Sequence, residues 1–324
     1  MPRGSDASRL ASWEPQVILR VARAYHLEER SKVEIARAEG LSRWQVARIL
    51  TDAREQGLVR ITVGDPAEID ESLGSRVANA LGLDEALVVG HSAHLGMAPS
   101  IESVGSALAE YLSQKVQKGY VVGLTWSRAT EAMAREISRF RIAQCDVVQL
   151  AGALTFTGDR LGSVEVIRMV ARAAGGRAHP MYAPLIVDSS ETRANLERQP
   201  EIAACLNHVS GLDMAVVSVG IWGAEGSALY SLLPSALRER VSGAGAVGEI
   251  SGRVFDADGR ALKTEMDQRV LGISSQQLKE VPHIVATSYG AERAEATIAA
   301  ARARYFRTLI VDEPLARQIL ELTG

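Results

Sequence analysis

The chain has 324 residues, 47% of them hydrophobic and 23% charged, with a formal net charge of −3. At roughly 150 residues per domain this length suggests about two domains, and the apolar fraction excludes wholesale disorder. No apolar run approaches the ~20 residues needed to span a bilayer. The opening MPRGSDASRLASWEP lacks the apolar stretch of a secretory leader, so none is expected. Residues 1–64 hold 11 of the 36 basic and 8 of the 39 acidic residues, so this segment carries +3 and the remainder −6. A small basic head on an acidic body fits a nucleic-acid-binding module joined to a second function. Cys145 and Cys205 lie in apolar surroundings without CxxC spacing, which reads as buried, reduced thiols of a cytoplasmic protein.

The head reads as helical. Val17, Ile18, Val21, Ala22 and Tyr25 mark an apolar stripe on a first helix over about 13–27. Ser31 with Glu34 three residues on is a capping-box pattern that starts a second helix, and Gly40 ends it. Ser42 caps a third helix, whose apolar positions are Val46, Ala47, Ile49 and Leu50. Ala36, Gly40 and Val46 have the spacing of a helix-turn-helix: a small residue for close packing, a turn glycine and an anchor. The recognition helix is then Ser42–Thr51, with Ser42, Arg43, Trp44, Gln45 and Arg48 as the expected DNA-contacting residues. Arg and Gln suit guanine and adenine edges, and Ser42 at the helix N-terminus suits a phosphate. Trp44 fits either the DNA surface or the domain core. Gly57 stops this helix, residues 58–63 read as a short strand, and Gly64-Asp65-Pro66 marks the domain boundary. The expected division is 1–64 for a DNA-binding domain and 65–324 for an effector domain.

From about residue 67 the rhythm changes. Apolar strand-like runs at 86–90, 120–124, 145–150, 181–187, 214–220, 283–290 and 307–312 alternate with amphipathic segments such as 100–118, 128–140, 161–174 and 291–303. This predicts an α/β fold with a parallel sheet covered on both faces.

Four of the strands run into turns that contain Gly123, Gly152, Gly220 and Gly290. Ligands of open α/β sheets sit beyond the carboxyl ends of strands. Thr125, Ser127, Thr155 and Thr157 add hydroxyls there, a mixture that suits a sugar or polyol, whereas a phosphate favours helix N-termini. In GAVGEISGRVFDADGRAL (245–262), Asp256–Gly259 reads as a hairpin turn, and Glu249 points into a cleft where it accepts ligand hydroxyls. No GxGxxG fingerprint, Walker A motif or GxSxG elbow occurs, so no cofactor and no catalytic residue is expected. The six histidines show no metal-ligand spacing, the His91/His94 pair included, so no metal is expected.

These residues resemble the SorC-type family of sugar-sensing bacterial transcriptional regulators. The head resembles it in KVEIARAEGLSRWQVARILTDAREQGLVRI; the body does so in VVGLTWS, VVQLAG, YAPLIV, GAVGEISGRVFD, VLGIS and TLIVDEPLA. The resemblance implies a helix-turn-helix, winged or plain, joined to a Rossmann-like effector domain related to sugar-phosphate isomerases and deaminases. It also implies a homo-oligomer, typically a tetramer, whose grip on an operator changes with a sugar or sugar phosphate. The chain departs from the family at its ligand loops: Ser127, Ala129 and Ala153 stand where Gly, Thr and Gly are common, and Arg293 where Lys is usual. The first changes weaken a phosphate cradle; the last rules out a Schiff base at that position.

The expected function is therefore a DNA-binding regulator with operator DNA and a small carbohydrate as partners and no membrane. The effector site is expected at Gly123, Thr125, Ser127, Gly152, Thr155, Gly220, Glu249, Gly290 and Arg293, with a lean towards an unphosphorylated sugar or polyol. The rivals are a sugar-phosphate isomerase or deaminase, and a metabolite-binding protein whose head contacts only other proteins.

Overall fold

The computed structural model describes residues 13–55, 57–59, 68–90, 101–154, 160–224 and 226–324. The chain forms two compact units, Met1–Asp65 and Pro66–Gly324.

In the first unit, α1 (Pro15–His26) starts on a proline, whose missing N–H costs nothing in a first turn. Ser31 and Glu34 make the reciprocal capping box of α2 (Lys32–Glu39), and Gly40 ends that helix in the left-handed region at φ 65°. After the turn, α3 runs over Arg43–Glu55. Ile18, Val21, Ile35, Ala36, Val46, Ile49 and Leu50 fill the core between the three helices. Ala36 and Val46 thus occupy the close-packing and anchor positions that their spacing indicates. Two expectations change. Tyr25 is 36% exposed, not part of the buried stripe, and meets the Lys32 ammonium 5.5 Å from its ring centroid. Residues 57–59 form a turn and bends; the rest of the expected strand over 58–63, and the expected boundary, lie outside the described residues.

The second unit opens with α4 (Glu71–Leu81) and β1 (Glu85–Val89). It continues through α5 (Ile101–Lys115), β2 (Val121–Leu124), α6 (Arg128–Glu136), β3 (Asp146–Gln149), α7 (Ser163–Ala173) and β4 (Ala178–His179). Helices α8 (Ser190–Glu197) and α9 (Pro200–Asn207) lead to β5 (Met214–Ser218) and β6 (Gly220–Ile221). Then come α10 (Ala228–Leu232), α11 (Ser235–Gly243), β7 (Gly248–Ile250), β8 (Arg253–Phe255) and α12 (Ser275–Lys279). The chain ends with β9 (His283–Ser288), α13 (Ala294–Arg302), β10 (Thr308–Asp312) and α14 (Glu313–Thr323).

Seven strands make a parallel sheet in the order β1-β10-β9-β5-β2-β3-β4. Successive residues feed opposite faces: Met214 and Val216 pack into one core, Ala215 and Val217 into the other. Both faces are covered, as the unbroken apolar strands require. From β2 the strand order runs outward through β3 to β4, and from β5 it runs the other way through β9 to β10. The order therefore reverses between β2 and β5, where their carboxyl ends part and leave a crevice.

Two features differ from the expectation. Residues 181–187 form no strand: Pro184 cannot donate to a ladder, and only isolated bridges at Pro184 and Ile186 remain. A small antiparallel sheet, β6-β7-β8, is added over the sheet's carboxyl end. Its strands of two or three residues are too short to show a period.

Candidate functional site

The crevice holds a cavity of about 380 Å³, within the roughly 300–1,000 Å³ of small-molecule sites. Thr125, Ser127, Gly152, Gly220, Glu249 and Arg293 all line it, so six of the nine expected effector residues meet although they span 169 positions of chain. Gly123 does not. It lies inside β2, and a Cβ there would come 2.5 Å from the Leu150 side chain; its bareness admits Leu150, not a ligand. Gly290 is not on the cavity wall either; it forms the turn between the wall residues Tyr289 and Arg293. Thr155 and Thr157, with His91 and His94, lie outside the described residues.

Each wall residue is set by local structure. Ser127 caps α6: its hydroxyl accepts from the Thr130 amide at 3.0 Å, and its own amide donates to the Thr130 hydroxyl at 2.7 Å. Gly152 must be bare because a Cβ there would lie 2.3 Å from the Pro184 carbonyl oxygen. The next amide, Ala153, donates to the Ala183 carbonyl at 2.8 Å. Neither the Ser127 nor the Ala153 amide therefore faces the cavity as an unused donor. Trp126 donates its indole N–H to the Leu161 carbonyl at 2.8 Å, and Arg160 lies 5.1 Å from its ring centroid.

Glu249 enters the wall from β7 opposite Gly220, where a Cβ would sit 3.2 Å from the Glu249 Cγ. Its carboxylate accepts from the Ser227 hydroxyl, and the same hydroxyl caps α10 by accepting from the Tyr230 amide at 3.0 Å. Burial pushes Glu249 up to about 7, against the pull of the Ser227 hydrogen bond. Arg293 is buried and already engaged: it donates to the Tyr289 carbonyl at 2.6 Å, pairs with Glu292, and lies 4.4 Å from the Tyr289 ring centroid. The surface thus offers hydroxyls, one carboxylate, aromatic faces and the guanidinium groups of Arg128, Arg160 and Arg293. Among the described wall residues there is no histidine, cysteine, aspartate or lysine.

Trp126 and Tyr289 lie on the wall within the 123–130 and 289–293 loops that the sequence assigns to the effector, whereas Arg160, Leu185, Ser227 and Ser251 lie outside the loops that sequence reasoning picked. Ser227 had a signal, as a serine placed at the start of the helical ALYSL run. Leu185 had none, because its place depends on the pairing of residues far apart in sequence.

On α3, Ser42, Arg43 and Trp44 are exposed, and Gln45 and Arg48 are half-buried. Trp44 is 67% exposed, which settles its alternatives against the domain core. Gln45 is partly spent: its side-chain oxygen accepts from the Ser42 amide at 2.8 Å while its own amide donates to the Ser42 hydroxyl at 3.2 Å. That leaves only its NH2 group for a base edge, short of the donor–acceptor pair that adenine needs.

Residues 65–321 match the family described as "Putative sugar-binding domain". Over 99% of this chain and 98% of the other protein, the sequence is 28% identical to the "Uncharacterized transcriptional regulator YjhU" of Escherichia coli (strain K12). It is 26% identical to the "Deoxyribonucleoside regulator" of Bacillus subtilis (strain 168), over 94% of this chain and 97% of that protein. The full-length sorbitol operon regulator SorC from Klebsiella pneumoniae superposes with a TM-score of 0.71 at 21% identity, over 95% of this chain and 99% of that one, a likeness of fold.

Proposed function

The chain belongs to the SorC-type family of sugar-binding-domain regulators, and from that premise we propose that it is a cytoplasmic transcriptional regulator in which α3 reads an operator and the β2/β5 crevice binds an unphosphorylated sugar or polyol. No helix among the described residues is long and apolar enough to cross a membrane.

One observation carries the effector reading. The fixed charge of Arg293, which could have held a phosphate bidentately, is already taken by Glu292 and the Tyr289 carbonyl. The Ser127 and Ala153 amides are occupied, and Glu249 would repel a phosphate dianion while accepting two hydroxyls of a neutral polyol. Two further cations lie on the wall, the exposed Arg128 and the Arg160 that pairs with Glu131, and these are the groups that an anionic effector would use.

The operator reading is supported by the tight Ala36–Gly40–Val46 turn, which presents Ser42, Arg43 and Trp44 outward from one helix end. A recognition helix covers only a few base pairs, so we assign the working species to a homo-oligomer of at least two chains. For that contact the head leaves Leu19, Tyr25 and Leu27 exposed, while Val21 is buried inside it.

Calorimetry with matched pairs, each sugar or polyol against its phosphate, tests the effector. Neutral ligands are expected to bind; binding by phosphates alone, lost in Arg128→Ala or Arg293→Ala, reverses the assignment. Gel shifts on the chain's own promoter DNA, with and without a bound polyol, test the coupling. Light scattering that shows a monomer with and without DNA contradicts the oligomer.

A further inference from the structure

Trp44 stands in the first turn of α3, outside the core that Ile18, Val21, Ile35, Val46 and Ile49 fill. A single exposed apolar side chain is ordinary. What distinguishes this one is Arg48, a full turn later, whose guanidinium carbon lies 5.6 Å from the Trp44 ring centroid. Positions four apart on a helix are neighbours on one face, and an indole is the strongest aromatic partner for a guanidinium. Arg48 is half-buried, so its stem runs along protein surface while its charged end meets the ring. The stack restricts a long side chain before any ligand arrives, which lowers the ordering cost of a bidentate contact.

We propose that Trp44 and Arg48 act as one base-reading unit: Arg48 donates two hydrogen bonds to the O6 and N7 of a guanine, and Trp44 covers the C5-methyl group of a thymine in the adjacent base pair. The proposal rests on the reading of α3 as the operator-contacting helix. Guanine is the base whose major-groove edge offers two acceptors to one guanidinium, and the thymine methyl is the apolar group on that surface. A helix turn rises about 5.4 Å and successive base pairs about 3.4 Å, so stacked side chains one turn apart reach neighbouring pairs. Gln45, its oxygen held by Ser42, keeps only its NH2 group and so lacks the two-nitrogen fork that Arg48 offers guanine.

The test uses the full-length protein to select duplexes from a randomised pool, followed by sequencing. The wild type is expected to enrich a motif with a guanine beside a thymine. Arg48→Ala should relax the guanine and Trp44→Ala the thymine, while Trp44→Phe keeps the thymine. On the enriched duplex, deoxyuridine in place of that thymine removes only the methyl group. It should weaken wild-type binding about fourfold, the value of one buried carbon group, and leave Trp44→Ala unaffected. The pairing is overturned if Trp44→Ala enriches the wild-type motif, or if the wild type binds thymine and deoxyuridine duplexes equally. Failure of the wild type to enrich any duplex instead strikes the operator reading, and this assignment falls with it.

Discussion

Both carboxylate oxygens of Asp312 lie 3.0 Å from the backbone nitrogen of Gly290, so one buried side chain at the end of β10 fixes the turn that follows β9. The same carboxylate caps α14 through the Leu315 amide at 3.3 Å. Gly290 has φ 87°, a region open to glycine at little cost, and the turn it makes delivers Tyr289 and Arg293 to the cavity wall. Burial raises the Asp312 carboxyl above its usual range, and the amides of Gly290 and Leu315 pull it back.

Asp312→Asn removes only the second acceptor. Asparagine caps helices about as well as aspartate, and an oxygen in the Oδ1 position still faces both Leu315 and Gly290, but an NH2 group then replaces Oδ2 beside the Gly290 N–H. We expect α14 to stay protected from hydrogen exchange, residues 290–293 to exchange faster, and polyol affinity to fall on calorimetry. Asp312→Ala also loses the cap, at roughly 0.5–2 kcal/mol by denaturant titration.

Glu249 should make effector binding pH-dependent. Its carboxyl is raised from 4.5 to about 7, and the ionised form is the better acceptor for ligand hydroxyls. Polyol affinity is therefore expected to weaken as pH falls through about 7, and Glu249→Gln to flatten that profile. Stability runs the other way. Between about 4.5 and 7 the folded state binds a proton that the unfolded state has lost, so this group's contribution is full below that window and is lost as pH rises through it. The wild-type Tm should drop more between pH 5 and pH 8 than that of Glu249→Gln.

Ser42 and Gln45 form one reciprocal cap at the start of α3. Ser42→Ala should cost about 1 kcal/mol of head stability. The Ser42→Ala/Gln45→Ala double variant should cost less than the sum of the singles, because both remove the same box. Strict additivity in thermal unfolding would show that Gln45 is not part of the cap.

Gly152→Ala forces a Cβ to within 2.3 Å of backbone at Pro184. Overpacking of this kind costs roughly 1–3 kcal/mol. The Ala153–Ala183 pairing beside it should loosen, lowering Tm and polyol affinity together. An unchanged Tm would mean that the 183–185 segment yields freely.

Burial pushes the thiols of both Cys145 and Cys205 up to about 11. At pH 8 about one in a thousand is then thiolate. A thiol reagent such as Ellman's should react slowly with the native chain and label both positions in denaturant.

Periodicity alone determined the helical head, its turn at Gly40, and the alternation of buried strands with amphipathic helices, because these patterns follow from residues a few positions apart. Turn glycines and hydroxyls at strand ends pointed to the edge of the sheet that holds the cavity, since parallel strands place all their carboxyl ends together. Tertiary structure decided what local pattern cannot carry. Gly123 has the setting of a loop glycine in the sequence, but Leu150, just past the end of the neighbouring strand β3, takes the space beside it. The 181–187 run looked like a strand, but Pro184 interrupts its ladder. Arg293 is a cation in the sequence, but its charge is balanced only once the turn after β9 has folded and set Glu292 and the Tyr289 carbonyl against it. Gln45 is a base reader by residue type, but Ser42, three residues before it in an S-x-x-Q capping box, holds its oxygen. For Gly123 and the 181–187 run the deciding partners are distant in sequence, so long-range pairing and packing choose which atoms meet. For Arg293 and Gln45 the partners stand one to four positions away, and the competition for each side chain's polar atoms determines what it has left to offer a ligand.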